Sequence, residues 1–273
     1  MFTHLILSGG GTNLPALVGA LSLFETSDIT HISGVSAGAI IGFLFCVLKD
    51  VNQMKKILNG IHINEDDIDI FKLIHDFYIY DTDIIIDFLK KQLQIQDITF
   101  QELYKTSNIE LSIYGTNITN NGQNEVFSMK TTPDMSVFTA IQISIAIPFL
   151  FKPIELNGNM YVDGSVTRNY PLEIYDDIDD EYKLCIFSLM EKNIGYPKTF
   201  PDYCKSYMSF MLHSQLDKLN LENRSCIKVL IPSLDVPIFS YESQLFDTIF
   251  EHGVQNGVKQ VKKEYIINNK KNE

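Results

Sequence analysis

The chain alternates short apolar runs with longer segments of mixed polarity. Leu5-Ile6-Leu7 has no polar residue between apolar ones and stops at Gly9-Gly10-Gly11, so residues 4 to 8 read as a central strand. Leu14 to Phe24 follows as a helix, with Pro15 well placed near its start. Thr30-His31-Ile32-Ser33 predicts a second short strand. Ala37 to Leu48 is apolar around its whole circumference, which predicts a helix buried on all sides.

From Asn52 to Thr106 the pattern turns helical and charged. Asp81 to Gln94 carries an apolar stripe at Ile84, Ile85, Phe88 and Leu89, and Phe100 to Leu103 predicts a short helix or turn. Ile109 to Thr119 and Glu125 to Met129 predict two strands joined through Asn120-Asn121-Gly122-Gln123, a hairpin-turn composition. Val137 to Ile147 predicts an apolar helix that stops before Pro148. The loop from Pro148 to Pro153 is apolar, with Phe149, Leu150 and Phe151 in sequence; it reads as core packing beneath the sheet or as the wall of an apolar pocket. Glu155 to Val162 predicts a hairpin that delivers Asp163. Leu184 to Met190 and Ile227 to Pro232 predict further strands, and Phe200 to Leu221 and Ser243 to Ile266 long helices.

Composition narrows the picture. With 45% hydrophobic and 21% charged residues the chain has the balance of a soluble globular protein. A formal net charge of -12 argues against general nucleic-acid binding and against broad electrostatic docking to anionic membranes. The first residues lack a basic segment and a long apolar core, so no secretory signal is expected, and Ala37 to Leu48, interrupted by Gly38 and Gly42, is too short to span a bilayer. Cys46, Cys185, Cys204 and Cys226 show no C-x-x-C spacing, and a reduced, intracellular protein is the expectation. One domain over residues 1–267 is expected, with a disordered polar tail at 268–273. The acidic runs at Glu65, Asp66, Asp67 and Asp69, and from Asp176 to Glu181, lack the glycine and closing glutamate of an EF-hand loop and read as solvated loops or helix starts. No metal and no cofactor is expected.

Candidate chemistry centres on Gly34-Val35-Ser36-Ala37-Gly38. G-x-S-x-G is the pattern of a nucleophile elbow, in which Gly34 and Gly38 allow a sharp strand-to-helix turn that presents the serine hydroxyl. Ser36 then sits at a helix N-terminus, which favours a developing negative charge. Gly9-Gly10-Gly11, another strand-to-helix turn, presents backbone N–H groups that suit an oxyanion or a phosphate. A dinucleotide fingerprint needs glycine at position 14, where the chain has Leu14. With Ser36 so soon after Gly11, the next parallel strand sets the two turns side by side. Asp163-Gly164-Ser165 by itself reads as an ordinary turn.

These three pieces, in this order, resemble the patatin-like phospholipase (acyl hydrolase) family. The resemblance extends to Ile145-Ala146-Ile147-Pro148-Phe149-Leu150-Phe151-Lys152-Pro153 and Asn169-Tyr170-Pro171-Leu172, covers most of residues 4 to 175, and echoes weakly at Phe250-Glu251-His252-Gly253. It implies a three-layer α/β/α sandwich with a mostly parallel central sheet. It also implies a phospholipase A-like lipid acyl hydrolase, with phospholipid or another acyl lipid as substrate and peripheral contact with a membrane or lipid interface. Ser36 is then the nucleophile, Asp163 the base, Gly10 and Gly11 the oxyanion donors and Gly9 the residue that shapes their loop, with residues 52–106 as a helical rim or lid. Two departures stand out. Asn13-Leu14 replaces the family's Arg-Gly, and Ser165 takes the place of Gly or Ala.

Two rival accounts exist. A Ser-His-Asp triad draws on His4, His31, His62, His75, His213 and His252, but the chain has room for only one strand before the nucleophile strand; His31 reads as structural, and His213 and His252 as surface or packing residues. The other account is a weakly active or inactive lipid-binding or scaffolding protein of the same fold, which the altered Asn13-Leu14 favours and the intact Ser36 and Asp163 oppose.

Overall fold

In the computed structural model all residues are described except 62–74, 191–195, 199, 220, 235–242, 263–264 and 267–273. The acidic run from Glu65, His62 and the polar tail fall outside the described residues.

Among the described residues eight strands form one sheet: β1 (His4–Leu7), β2 (His31–Gly34), β3 (Glu110–Asn117), β4 (Gln123–Ser128), β5 (Ile154–Leu156), β6 (Asn159–Asp163), β7 (Lys183–Leu189) and β8 (Ile227–Pro232). Five of them, in the order β3-β2-β1-β7-β8, are parallel. β4 and β6 are antiparallel to β3, and β5 pairs with β6. Around the sheet lie α1 (Leu14–Leu21), α2 (Ala37–Leu48), α3 (Val51–Leu58), α4 (Asp83–Leu93), α5 (Phe100–Ser107), α6 (Val137–Ser144), α7 (Ser165–Arg168), α8 (Phe200–Lys218) and α9 (Ser243–Gln260).

Side-chain alternation builds the layers. Successive strand residues point to opposite faces, so Leu5 and Leu7 of β1 join a large core with α1, α2 and α9. Ile6 turns the other way, into a smaller core with Tyr170, Leu172, Tyr175, Cys185, Phe187 and Cys226, against which Leu216 of α8 packs. The molecule is therefore a three-layer α/β/α sandwich. α2 is buried along its length from Ala37 to Cys46, as its uniform apolarity requires.

Several elements differ from the sequence pattern, and α1 already ends at Leu21 rather than Phe24. In α4 the buried positions are Ile85, Ile86 and Leu89, while Ile84 is 48% exposed, so the packed face is rotated by about one residue from the stripe through Ile84. α6 ends at Ser144 rather than Ile147, because the next residues leave the helix to bond elsewhere: the Asp163 N–H donates to Ala146 O at 2.9 Å. α9 stops at Gln260, short of Ile266. One boundary is explained by a cap that the periodicity did not show. α5 starts on a reciprocal capping box between Thr99 and Glu102. Among the described residues no helix is long and apolar enough to cross a membrane.

Candidate active site

The site assembles at the C-terminal ends of β1 and β2. The strands are adjacent and parallel, with Leu7 opposite Gly34, so their following turns lie side by side. Val35 N–H donates to Leu7 O at 3.2 Å across that boundary.

At the end of β2 the chain turns through Ser36, whose φ of 51° and ψ of -119° are strained for a residue with a Cβ. Two contacts hold it there. Its N–H donates to Ser144 Oγ at 2.9 Å, and α2 begins at once behind it. The flanking glycines are required by proximity. A Cβ on Gly34 would lie 2.3 Å from Gly38 O, and one on Gly38 would lie 2.7 Å from both Leu7 O and Ser8 O. α2 can therefore dock its first turn on β1 only because Gly38 has no side chain.

Asp163 reaches Ser36 by an unusual route. β4 occupies one edge of β3 along residues 112–117, so β2 and β6 must share the other edge. β2 takes positions 110–113 and β6 takes 115–117. The two strands thus meet head-on, and Asp163, paired with Gly115, arrives just beyond Gly34, paired with Ile113. Gly164 lets the chain turn away tightly, since a Cβ there would lie 2.3 Å from Tyr114 O.

Electrostatically the two side chains are a buried pair. Asp163 is fully buried and Ser36 is 5% exposed. Burial pushes the Asp163 carboxyl up from 3.8 to about 6, opposed most by the Ser36 hydroxyl and then by Ser165. Oδ1 accepts from the Ser165 N–H at 2.7 Å. Oδ2 is buried without a fully formed hydrogen bond. A carboxylate oxygen with spare acceptor capacity beside a serine hydroxyl is chemically suited to take its proton.

The glycine turn stands against both. A Cβ on Gly9 would lie 3.2 Å from Ser36 Cβ and 3.5 Å from Ser165 Cβ. Gly9 N–H is already engaged, donating to Asn169 Oδ1 at 2.9 Å. The N–H groups of Gly10 and Gly11 make no hydrogen bond among the described residues, and Gly11 has a φ of 49°. The structure thus brings Gly9, Ser36, Asp163 and Ser165 together, with Gly10 and Gly11 next in the same turn.

Several positioning residues had no strong signal in the sequence. Ser144 fixes the Ser36 backbone, and Asn169, wholly buried, fixes Gly9. Asn169 had only its place in the Asn169-Tyr170-Pro171-Leu172 stretch. Asn13 turns away into the fold, its Nδ2 donating to Ser188 Oγ at 2.9 Å, while Ser188 N–H donates to Ser8 Oγ at 2.8 Å. The residue that replaces the family's arginine thus ties the glycine turn to β7.

The described histidines lie elsewhere. His4 and His31 are stacked at 4.5 Å on the first residues of β1 and β2, about 15 Å from the elbow at strand rise. His213 and His252 each bond a backbone carbonyl, of Met190 and Pro232, and His75 pairs with Asp76. In the second acidic run Asp176 and Asp180 pair with Arg224, and Asp180 also pairs with Lys183 at 2.8 Å.

The comparisons with known proteins agree with this frame. The family model described as Patatin-like phospholipase matches residues 5–176. The uncharacterised protein R571 of Acanthamoeba polyphaga mimivirus is 27% identical over 94% of this chain and 93% of its own. The probable lipid hydrolase 463L of Invertebrate iridescent virus 6 is 30% identical over 63% of each chain. Among solved structures, VipD from Legionella pneumophila superposes with a TM-score of 0.61 at 18% identity, over 95% of this chain and 66% of that one, a likeness of fold. The chain belongs to the patatin-like phospholipase family.

Proposed function

We propose that the protein is a lipid acyl hydrolase, phospholipase A-like, that cleaves carboxylic esters of phospholipids or related acyl lipids through Ser36 and Asp163. The observation that carries this reading is the meeting of the Ser36 elbow with the buried Asp163 carboxylate under a glycine turn that has unengaged N–H groups. Family membership and the relative named as a probable lipid hydrolase support the substrate class.

Ser36 Oγ attacks the ester carbonyl carbon as its proton passes to Asp163. The carbonyl oxygen becomes an oxyanion held by the Gly10 and Gly11 N–H groups and favoured by the N-terminus of α2. The intermediate collapses, the C–O bond to the lipid alcohol breaks, and Asp163 returns the proton to that alcohol. Water, deprotonated by Asp163, then attacks the acyl-serine ester; fatty acid leaves and Ser36 recovers its proton.

The test treats wild type, Ser36→Ala and Asp163→Asn with a fluorophosphonate and measures fatty-acid release from mixed phospholipid vesicles. Wild type labels and releases fatty acid, whereas each variant, folded by circular dichroism, loses at least about a thousandfold in turnover. Full activity of Asp163→Asn would remove Asp163 as base. A wild type that neither labels nor hydrolyses would leave a lipid-binding protein of this fold.

A further inference from the structure

α7 is a single turn of helix that hangs directly from the aspartate turn. It starts at Ser165, just after Asp163-Gly164, and ends at Arg168. A helix this short cannot fix itself, because the first N–H groups and the last carbonyls of any helix have no internal partner. Its position is set from outside, by two elements. From the sheet, Thr116 of β3 donates its hydroxyl to Asp163 O at 2.9 Å and shares a hydrogen bond with Thr167 Oγ1 at 2.8 Å. Asn124 Nδ2 of β4 donates to the same Thr167 oxygen at 3.1 Å. From α8, one side chain reaches in.

That side chain is Gln215. Its Oε1 accepts the Asn169 N–H at 2.6 Å, and its Nε2 donates to Ser165 O at 2.9 Å and to Val166 O at 3.2 Å. In a continuing helix the Asn169 N–H pairs with Ser165 O, four residues back. The Gln215 amide is spliced into that rung, with an acceptor toward the N–H and donors toward the carbonyls. The flipped amide would set donor against donor and oxygen against oxygen, so the network fixes its orientation. A side chain inserted into the helical ladder bends or ends a helix, and α7 ends here.

Both residues that Gln215 grips act on the site. Ser165 N–H donates to Asp163 Oδ1 at 2.7 Å, and Asn169 Oδ1 accepts the Gly9 N–H at 2.9 Å. One amide thus joins the support of the carboxyl group to the support of the glycine turn. A glutamine on an outer helix can satisfy its amide with water, yet this one commits its oxygen and its nitrogen to the backbone of a single turn. Gln215 lies beyond residues 5–176, which the family model matches, and within none of the motifs of the sequence.

We propose that Gln215 is a positioning residue: its amide locks α7 so that Ser165 holds the Asp163 carboxylate and Asn169 holds the glycine turn in one fixed arrangement. It acts through Ser165 and Asn169 and not on the reacting atoms. The proposal rests on the Ser36 and Asp163 reading for its purpose, whereas the clamp itself is tested without turnover.

The test uses the full chain with Gln215→Met, which keeps an unbranched side chain and helix propensity but has no amide. Gln215→Glu keeps the acceptor for Asn169 and sets an oxygen where two carbonyls need donors. Leu212→Ala, a buried change on the same helix, controls for lost stability. On a soluble short-chain ester kcat of Gln215→Met falls about ten- to a hundredfold at unchanged KM, and Gln215→Glu falls at least as far. The pH midpoint of kcat/KM rises from about 6, because a loosened Ser165 no longer stabilises the charged form of Asp163. Leu212→Ala lowers the melting temperature and moves neither kcat nor the midpoint. In a Ser36→Ala background, Gln215→Met speeds amide hydrogen exchange about tenfold in peptides covering 163–170 and 8–13 and leaves α3 unchanged. Parental kcat and midpoint in Gln215→Met, an equal midpoint shift in Leu212→Ala, or unchanged exchange overturns the proposal. Should wild type neither label with a fluorophosphonate nor hydrolyse the ester, the hydrolase reading falls, and exchange alone decides whether the clamp holds the two turns.

Discussion

Asp163 illustrates how one residue can be costly for the fold and, as the proposed base, useful for chemistry. Between 3.8 and about 6 the unfolded chain ionises this carboxyl while the folded chain keeps its proton. Folding stability therefore falls as pH rises across that window, and the deficit is complete above it. Removing the charge should reverse this. At pH 8 Asp163→Asn should be more stable than wild type by about 3 kcal/mol, and at pH 4 nearly equal, as read by chemical denaturation at both values. Activity has the opposite dependence. A base must be ionised to accept a proton, so kcat/KM on a soluble ester should climb with pH through about 6. On the same proposal Asn169 acts through the Gly9 backbone. Asn169→Ala leaves the Gly9 N–H without its buried acceptor and loosens the turn beside it. We expect kcat to drop about ten- to a hundredfold with KM little changed, and a gain in neither from raising the pH. Of these residues, Ser36 and Asp163 stood out in the sequence as candidates because each sits in a turn motif. Asn169 and Ser144 did not, since a single polar side chain that reaches across the fold leaves no local pattern.

At the scale of elements, the sequence specified type better than extent. β1, the elbow and α2 were plain because a triple glycine and two spaced glycines punctuate otherwise continuous apolar residues. The end of α6 was hidden: the apolar run continues to Ile147, but Asp163 draws the backbone at Ala146 out of the helix. In α4 three successive isoleucines, Ile84, Ile85 and Ile86, left the phase of the packed face undetermined until partners fixed it. The last helix shows why a faint similarity around Gly253 has a physical cause. α9 crosses α1 so closely that a Cβ on Gly253 would lie 1.9 Å from Ala16 O, and one on Gly19 would lie 2.1 Å from Phe250 O. Gly253→Ala must therefore separate two helices of the main core. A loss of at least about 3 kcal/mol, measured by thermal unfolding, is the expected outcome.

At the scale of the whole molecule, the family match stops at residue 176, yet the sheet does not. β7 and β8 come from beyond that point, and α9 supplies a large part of the packing on α1. The mostly parallel sheet and the side-by-side placing of β1 and β2 were expected, but the full order β3-β2-β1-β7-β8 was not legible, because pairing between strands distant in sequence depends on which edges the helices cover. The three-layer class was legible through the resemblance that the three turn motifs carry.

The position of β1 has a last consequence. It lies between β2 and β7, with both of its edges filled. A polypeptide cut after the matched segment would bare one of those edges along Leu5, Ile6 and Leu7, three side chains with no charge and no proline among them. Such a strand is a template for joining other chains edge to edge. The stretch beyond residue 176 is then not an appendage to the matched half but the guard that keeps it from polymerising.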